Sequence, residues 1–272
     1  MKRGKIWHVL ALGLAVVTVG SLLTACGSKS SSSANSGYQS ELKTSKTLTV
    51  GLEGTYPPYS YRKNGKLTGF EVDLTKAVAK KMGLKTKFVP TKWDSLVAGL
   101  GSSKFDVVVN NITQTPARKK QYLFSTPYVY SKYALVTAKS NTSLKTTSDV
   151  KGKKLAEGTG TDNELLAKKL GAKILPSGEL SSTLDLVRQG RADATINAES
   201  ALLTYKKSNN LNGLKYRVLT NKEQAPAKIS ALFNKKNPKL RTKFNRVLKQ
   251  LRQDGTLKKL SVKYFGSDIT TN

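Results

Sequence analysis

The order in which hydrophobic periods follow one another restricts this chain more than any other feature. From Thr47 onward, Leu48, Val50 and Leu52 alternate as a strand. Phe70, Leu74, Ala77, Val78 and Met82 then recur at helical spacing until Gly83. Phe88-Val89 reads as a short strand, Leu96, Val97 and Leu100 as the inner face of a second helix, and Phe105 to Val109 as a third strand. Strand, helix, strand, helix, strand is the order of a mostly parallel sheet covered by helices, because parallel neighbours need a long crossover between them.

The same order returns. Lys153 to Ala156, Lys173 to Leu175 and Ala192 to Ile196 read as strands, and Glu164 to Leu170 and Thr183 to Gln189 as helices closed by Gly171 and Gly190. At an offset of 87 residues, Lys104, Asp106 and Asn110 meet Arg191, Asp193 and Asn197. Two similar lobes are expected; chance likeness of two βα units is the alternative. Asn237-Pro238 opens a helix as N-cap and first position. Leu240, Phe244, Val247, Leu248 and Leu251 line its face, Asp254-Gly255 stops it, and Thr256 to Tyr264 forms a last helix. These helices are expected on the first lobe, so the chain crosses between lobes twice. The expected bounds are 47–131 with 229–268 for lobe one, 137–224 for lobe two, and 132–136 with 225–228 for the hinge.

The beginning of the chain bears on compartment. Lys2, Arg3 and Lys5 precede an apolar run from Val9 to Val19 that is too short to span a bilayer. Leu23-Thr24-Ala25-Cys26-Gly27 then resembles a bacterial lipobox, so residues 1–25 are expected to be a signal peptide and Cys26 the lipidated N-terminus. Two acyl chains suffice for stable anchoring, which predicts a protein held on the extracytoplasmic face of the cell membrane. The run from Gly27 to Ser45, rich in Ser, is expected to act with Lys46 as a flexible tether, with roughly 25 Å of reach.

Cys26 is the only cysteine, and His8, the only histidine, leaves with the signal. The mature chain therefore has no thiol nucleophile, no Ser-His triad and no His-ligated metal. No cofactor or metal is expected. Removing three cations leaves 44 Lys+Arg against 17 Asp+Glu, a net charge of +27. The cations are spread along the chain without a nucleic-acid motif, so a solvated basic surface is expected and nucleic acid is not a predicted partner.

One stretch asks for a ligand. "VVVNNITQTPARKK" runs from a buried strand into Asn111, Thr113 and Arg118. In open α/β sheets ligands sit beyond the carboxyl ends of the strands, and a guanidinium fork matches a carboxylate. A carboxylate clamp and a simple helix cap are equally consistent with these residues alone.

Five motifs, "VGLEGTYPPYSY", "GKLTGFEVDL", "PTKWDSL", "FDVVVNNITQTPARKKQYLFSTPY" and "DGTLKKLSVKYFG", resemble the polar amino acid-binding proteins of ABC importers, the bacterial extracellular solute-binding protein family 3. The resemblance runs from about Thr47 to Asp268 and within the family is to cystine-binding proteins. It implies a two-lobed periplasmic-binding-protein-like fold of type II, two α/β lobes with a two-strand hinge. It also implies capture of an amino acid and delivery to ABC permease subunits, by a monomer without catalysis. Carried over by residue, Arg118 takes the ligand carboxylate with Thr113 as its hydroxyl partner. Asn111 gives a small polar contact, Tyr56 covers the ligand, Trp93 walls the pocket, Glu53 reads the side chain, and Thr161 opens the helix that meets the carboxylate.

Each of these has a plainer reading. Tyr56 beside Pro57-Pro58 could wedge a turn, Trp93 could be core, and Glu53 could be a surface acid. The chain departs from the family at Ala198, where an Asp commonly binds the ligand ammonium. Glu199, assisted by Asn197, is the expected substitute, unless Glu199 only starts the helix from Ser200 to Lys207. A cleft enzyme of dehydratase type and a basic surface adhesin are the competing functions.

Overall fold

The computed structural model describes residues 37–209 and 211–271; the signal-like segment, Cys26 and the first part of the Ser-rich run lie outside them. The chain opens with β1 (Thr47–Leu52), buried along nearly its whole length. A hairpin of β2 (Tyr61–Lys63) and β3 (Lys66–Thr68) turns at Asn64-Gly65, both with positive φ, as a tight hairpin requires. Next come α1 (Phe70–Met82), β4 (Lys85–Pro90), α2 (Trp93–Gly101), β5 (Val107–Val108), α3 (Pro116–Gln121), β6 (Tyr122–Phe124) and β7 (Val129–Ser131). The start of α1 passes so close to the Tyr59 carbonyl that a Cβ on Gly69 would lie 2.3 Å from it, and φ there is +129°. Only glycine fits both conditions.

A second run follows: β8 (Tyr133–Ala138), β9 (Lys154–Gly158), α4 (Asp162–Lys169), β10 (Lys173–Ser177), α5 (Leu180–Arg188), β11 (Ala194–Ala198), α6 (Glu199–Asn209) and β12 (Leu214–Val218). The chain then returns through β13 (Ala227–Ile229), β14 (Leu232–Asn234), α7 (Pro238–Gln253) and α8 (Thr256–Phe265).

Two five-stranded sheets result, ordered β4-β1-β5-β14-β6 and β10-β9-β11-β8-β12. Each is parallel across its three βαβ strands. The strands contributed where the chain enters or leaves a lobe run antiparallel: β14 in the first sheet, β8 in the second. The mostly parallel expectation therefore holds only for the repeated unit. The repeat has a physical basis. Asp106 donates its N–H to Thr49 O and accepts the Thr49 N–H on its side chain; Asp193 does the same with Lys154 O and N–H. Each aspartate ties the middle of its lobe's three parallel strands, β1 or β9, to the strand that the aspartate precedes, β5 or β11.

Between the sheets lies a separate ladder of β7 against β13, pairing Ser131 with Ala227 and Val129 with Ile229. The first crossing is therefore Val129–Ser131 with Lys132. Residues 133–136, expected to belong to it, lie inside β8, because Ala134 to Thr137 pair with β11 and β12.

The tether expectation also changes. Tyr38–Glu41 forms a short 3-10 helix on the first lobe. The Tyr38 hydroxyl donates to Met82 O at 2.7 Å, and the Lys43 N–H donates to Asp106. Glu41 accepts the N–H groups of Lys239 and Leu240, so it, rather than the side chain of Asn237, caps α7. Leu240, Phe244, Val247, Leu248 and Leu251 are buried against Leu48, Val50, Phe70 and Leu74, which fixes the last helices to lobe one.

Candidate functional site

A cleft of about 560 Å³ opens between the two sheets. Its walls are the segments that follow β1, β4 and β5 on one side and those at the ends of β9, β10 and β11 on the other, as expected for an open α/β sheet.

Arg118 sits behind the first wall. Thr115 caps α3, its hydroxyl accepting the Arg118 N–H at 3.3 Å, so the cap and the guanidinium are both present in one short helix. The side chain is nearly buried, with Nη1 donating to Thr113 O and Nη2 crossing to Gly160 O at 2.9 Å. Its Cζ lies 5.3 Å from the centre of the Trp93 ring, within reach of a cation–π attraction. Burial pulls the guanidinium below its ordinary value, and the field of Asp162 acts the other way. Gly160 has φ +72°, which lets its carbonyl turn toward Arg118 just before α4 begins.

On the facing wall Thr161 caps α4. Its hydroxyl accepts the Glu164 N–H and donates to Gly158 O. The N–H groups of the first helical turn have no partner inside a helix and suit an anion, and Asp162 and Asn163 line the cleft there. The Tyr133 hydroxyl donates to Asp162 Oδ2 at 2.7 Å, and burial together with that carboxylate raises the phenol.

Asn110 holds Glu53 at the mouth of the first wall, accepting its N–H at 2.8 Å and donating to Oε2 at 2.7 Å. Burial pushes the Glu53 carboxyl up; Asn110 counters, and Glu179 and Asp94 add to the rise. Beneath lies Glu71, fully buried, which accepts the Asn111 N–H at 2.6 Å and the Tyr128 hydroxyl. Asn111 sits at φ +48°, and its Oδ1 has no hydrogen-bond partner among the described residues.

Hydrogen bonds cross the cleft: Trp93 Nε1 to Thr159 O at 2.8 Å, Arg118 to Gly160 O, Tyr56 hydroxyl to Asn197 Oδ1 at 2.5 Å, and Tyr59 with Ser200 at 2.8 Å. The Tyr56 and Tyr59 rings stack 5.7 Å apart.

Glu53, Tyr56, Trp93, Asn111, Thr161 and Asn197 thus line one cleft, with Thr113 and Arg118 directly behind. Glu199 is not part of it. It is the first residue of α6, its N–H bonded to Lys132 O, and it is not among the residues that line the cleft. Asp162, Asp94, Glu179 and Glu71 were missed. Asp162 lay within "GTGTDNE" and Glu71 within "GFEVDL", but nothing local marks their partners, which are 29 to 57 residues away.

Residues 48–267 match the family model of bacterial extracellular solute-binding proteins, family 3. A probable amino-acid ABC transporter-binding protein of Haemophilus influenzae is 45% identical over 83% of this chain and 87% of its own. The L-cystine-binding protein TcyA of Bacillus subtilis is 37% identical over 95% and 98%. Among solved structures, an ancestral arginine-binding protein bound to arginine superimposes with a TM-score of 0.73 at 37% identity, covering 81% of this chain and 99% of that one.

Proposed function

The chain belongs to the bacterial extracellular solute-binding proteins of family 3, and from that membership we propose an ABC-importer receptor that takes up L-cystine between its lobes. In this reading Cys26 carries the lipid anchor, the protein works outside the cytoplasmic membrane as a monomer, and the β7–β13 ladder is the hinge through which it closes. Closed protein hands the ligand to the permease unchanged, and no bond is made or broken.

The observation that carries the ligand class is the charge layout of the cleft. One guanidinium, Arg118, stands behind the wall, against four lining carboxylates: Glu53 and Asp94 from lobe one, Asp162 and Glu179 from lobe two. On a chain with net charge +30 this concentration of acid is local. It suits a ligand with a carboxylate at one end and cationic groups in excess of what a neutral side chain offers. Cystine brings two ammonium groups, and Trp93 and Tyr56 give apolar surface for its disulfide bridge. The relationship to a cystine-binding relative at 37% identity supports the same choice.

The acid excess also favours a second ligand, arginine, whose guanidinium would lie beside Glu53. Thermal unfolding in the presence of each of the twenty amino acids and cystine separates them. A ligand at about 100 times its dissociation constant adds ~2.7 kcal/mol to stability. Cystine is expected to give the largest shift and to be recovered unchanged. A shift with arginine and none with cystine overturns the cystine assignment, and recovery of a converted product overturns the absence of catalysis.

A further inference from the structure

The structure places a carboxylate next to the Arg118 clamp that the reading above leaves without a task. An amino acid brings an ammonium with three donors into a cleft that excludes water on closure, and an unpaired charge there is costly. Ala198, at the end of β11, supplies only a methyl group. The oxygen of Asn197 already accepts both the Tyr56 hydroxyl and the Ala198 N–H. Glu199 is outside the cleft lining.

The ammonium and carboxylate of an amino acid share one carbon, so the acceptor has to stand within a few ångströms of Arg118. Of the four carboxylates lining the cleft, Asp162 belongs to the turn that Arg118 itself holds, since Nη2 donates to Gly160 O two residues before it, whereas Glu53 is held by Asn110. Yet Asp162 and Arg118 do not form an ion pair. Both side-chain hydrogen bonds of Arg118 go to main-chain carbonyls, and Asp162 is held through Oδ2 by Tyr133. Oδ1 has no hydrogen bond among the described residues. An acid and a base held near each other but apart, each fixed by other groups, match the two ends of a zwitterion inserted between them.

We infer that Asp162 receives the α-ammonium of the bound amino acid, in place of a carboxylate at position 198, with Tyr133 holding it in position. The inference rests on the amino acid-binding reading. Its alternative is that Asp162 serves as the counter-ion of Arg118 in the empty cleft, and that alternative has the opposite sign: removing the charge would then strengthen binding.

The experiment is titration calorimetry of the full mature domain with L-cystine, repeated with 3,3′-dithiodipropionate, which keeps the carboxylates and disulfide but lacks both ammonium groups. Asp162→Asn is expected to weaken cystine binding at least tenfold and to leave dithiodipropionate within about twofold, while Glu199→Gln changes neither. Equal or tighter cystine binding in Asp162→Asn overturns the assignment, as does an equal loss for both compounds, which would mark a structural role. If cystine is not the ligand, the strongest binder among the twenty amino acids and its deaminated acid replace the pair. A wild-type protein that binds no amino acid overturns the function itself, which is distinct from a wild type that binds and a variant that binds equally well.

Discussion

At the scale of single residues, Arg118 has the largest expected effect on binding. Arg118→Ala should weaken amino acid binding at least 100-fold, since a carboxylate left without its buried partner costs about 3–5 kcal/mol, while circular dichroism still reports a folded chain. Lysine should rescue little, because it lacks the planar fork; wild-type affinity in either variant would remove Arg118 from the site. Glu71 makes a prediction about stability. Burial raises its carboxyl from 4.5 to about 7 against the lowering effect of Tyr128 and Asn111. Between those values the folded protein keeps a proton that the unfolded chain has released, so stability falls as pH rises through that window and levels off above about 7. Glu71→Gln should flatten this slope in thermal unfolding between pH 4.5 and 7; an unchanged slope would mean that another group causes it. Arg118 and Glu71 also mark how far a sequence can be read. The guanidinium follows a strand end by a short, local distance, so its neighbourhood is visible in one stretch. Glu71 meets Asn111 40 residues away and Tyr128 57 away, and only the folded chain brings them together.

Among the elements, the long amphipathic helices are where the sequence said most, because a face such as Leu240, Phe244, Val247 and Leu251 has one place to go. Short strands said less: Phe105 to Val109 reads as five residues, but the strand is Val107–Val108, flanked by single main-chain bonds from Asp106 to Thr49 O and from Val109 to Gly51 O. Least legible was the segment before β1. Its composition is that of a tether, yet Tyr38 to Lys43 is docked by side chains whose partners lie 44 to 199 residues away. This docking is testable at the element it serves. Glu41 supplies the α7 cap that Asn237 does not, and loss of a helix cap costs typically ~1 kcal/mol. Glu41→Ala should therefore lower the unfolding midpoint by roughly 2–4 °C, as 1 kcal/mol does in a domain of this size. A midpoint equal to wild type would show that the docked segment adds nothing to α7.

For the whole molecule, the proposed function requires a balance between open and closed lobes, and that balance can be shifted without touching the ligand. Among the described residues four hydrogen bonds cross the cleft, and each is worth about 0.5–1.5 kcal/mol net of the water it replaces. Their sum is comparable to what a ligand must supply to hold the lobes together, so each bond contributes to apparent affinity through the population of the closed state. Tyr59 isolates this effect. It is fully buried, it is not among the cleft-lining residues, and its hydroxyl meets Ser200 on the second lobe at 2.8 Å. Burial raises that hydroxyl to about 12, so it stays protonated and bonded at any physiological pH. Tyr59→Phe keeps the ring that packs 5.2 Å from Phe265 and removes the cross-lobe bond together with a longer one, 3.4 Å, to Ser131 Oγ. Affinity should fall roughly threefold to tenfold, the loss of about one hydrogen bond. Energy transfer between dyes, one on each lobe, should show a larger open fraction without ligand and the same closed state at saturation. If affinity falls while the ligand-free open fraction stays at the wild-type value, Tyr59 acts on the ligand itself and the closure argument fails; if neither changes, the cross-lobe bond carries no weight in the balance.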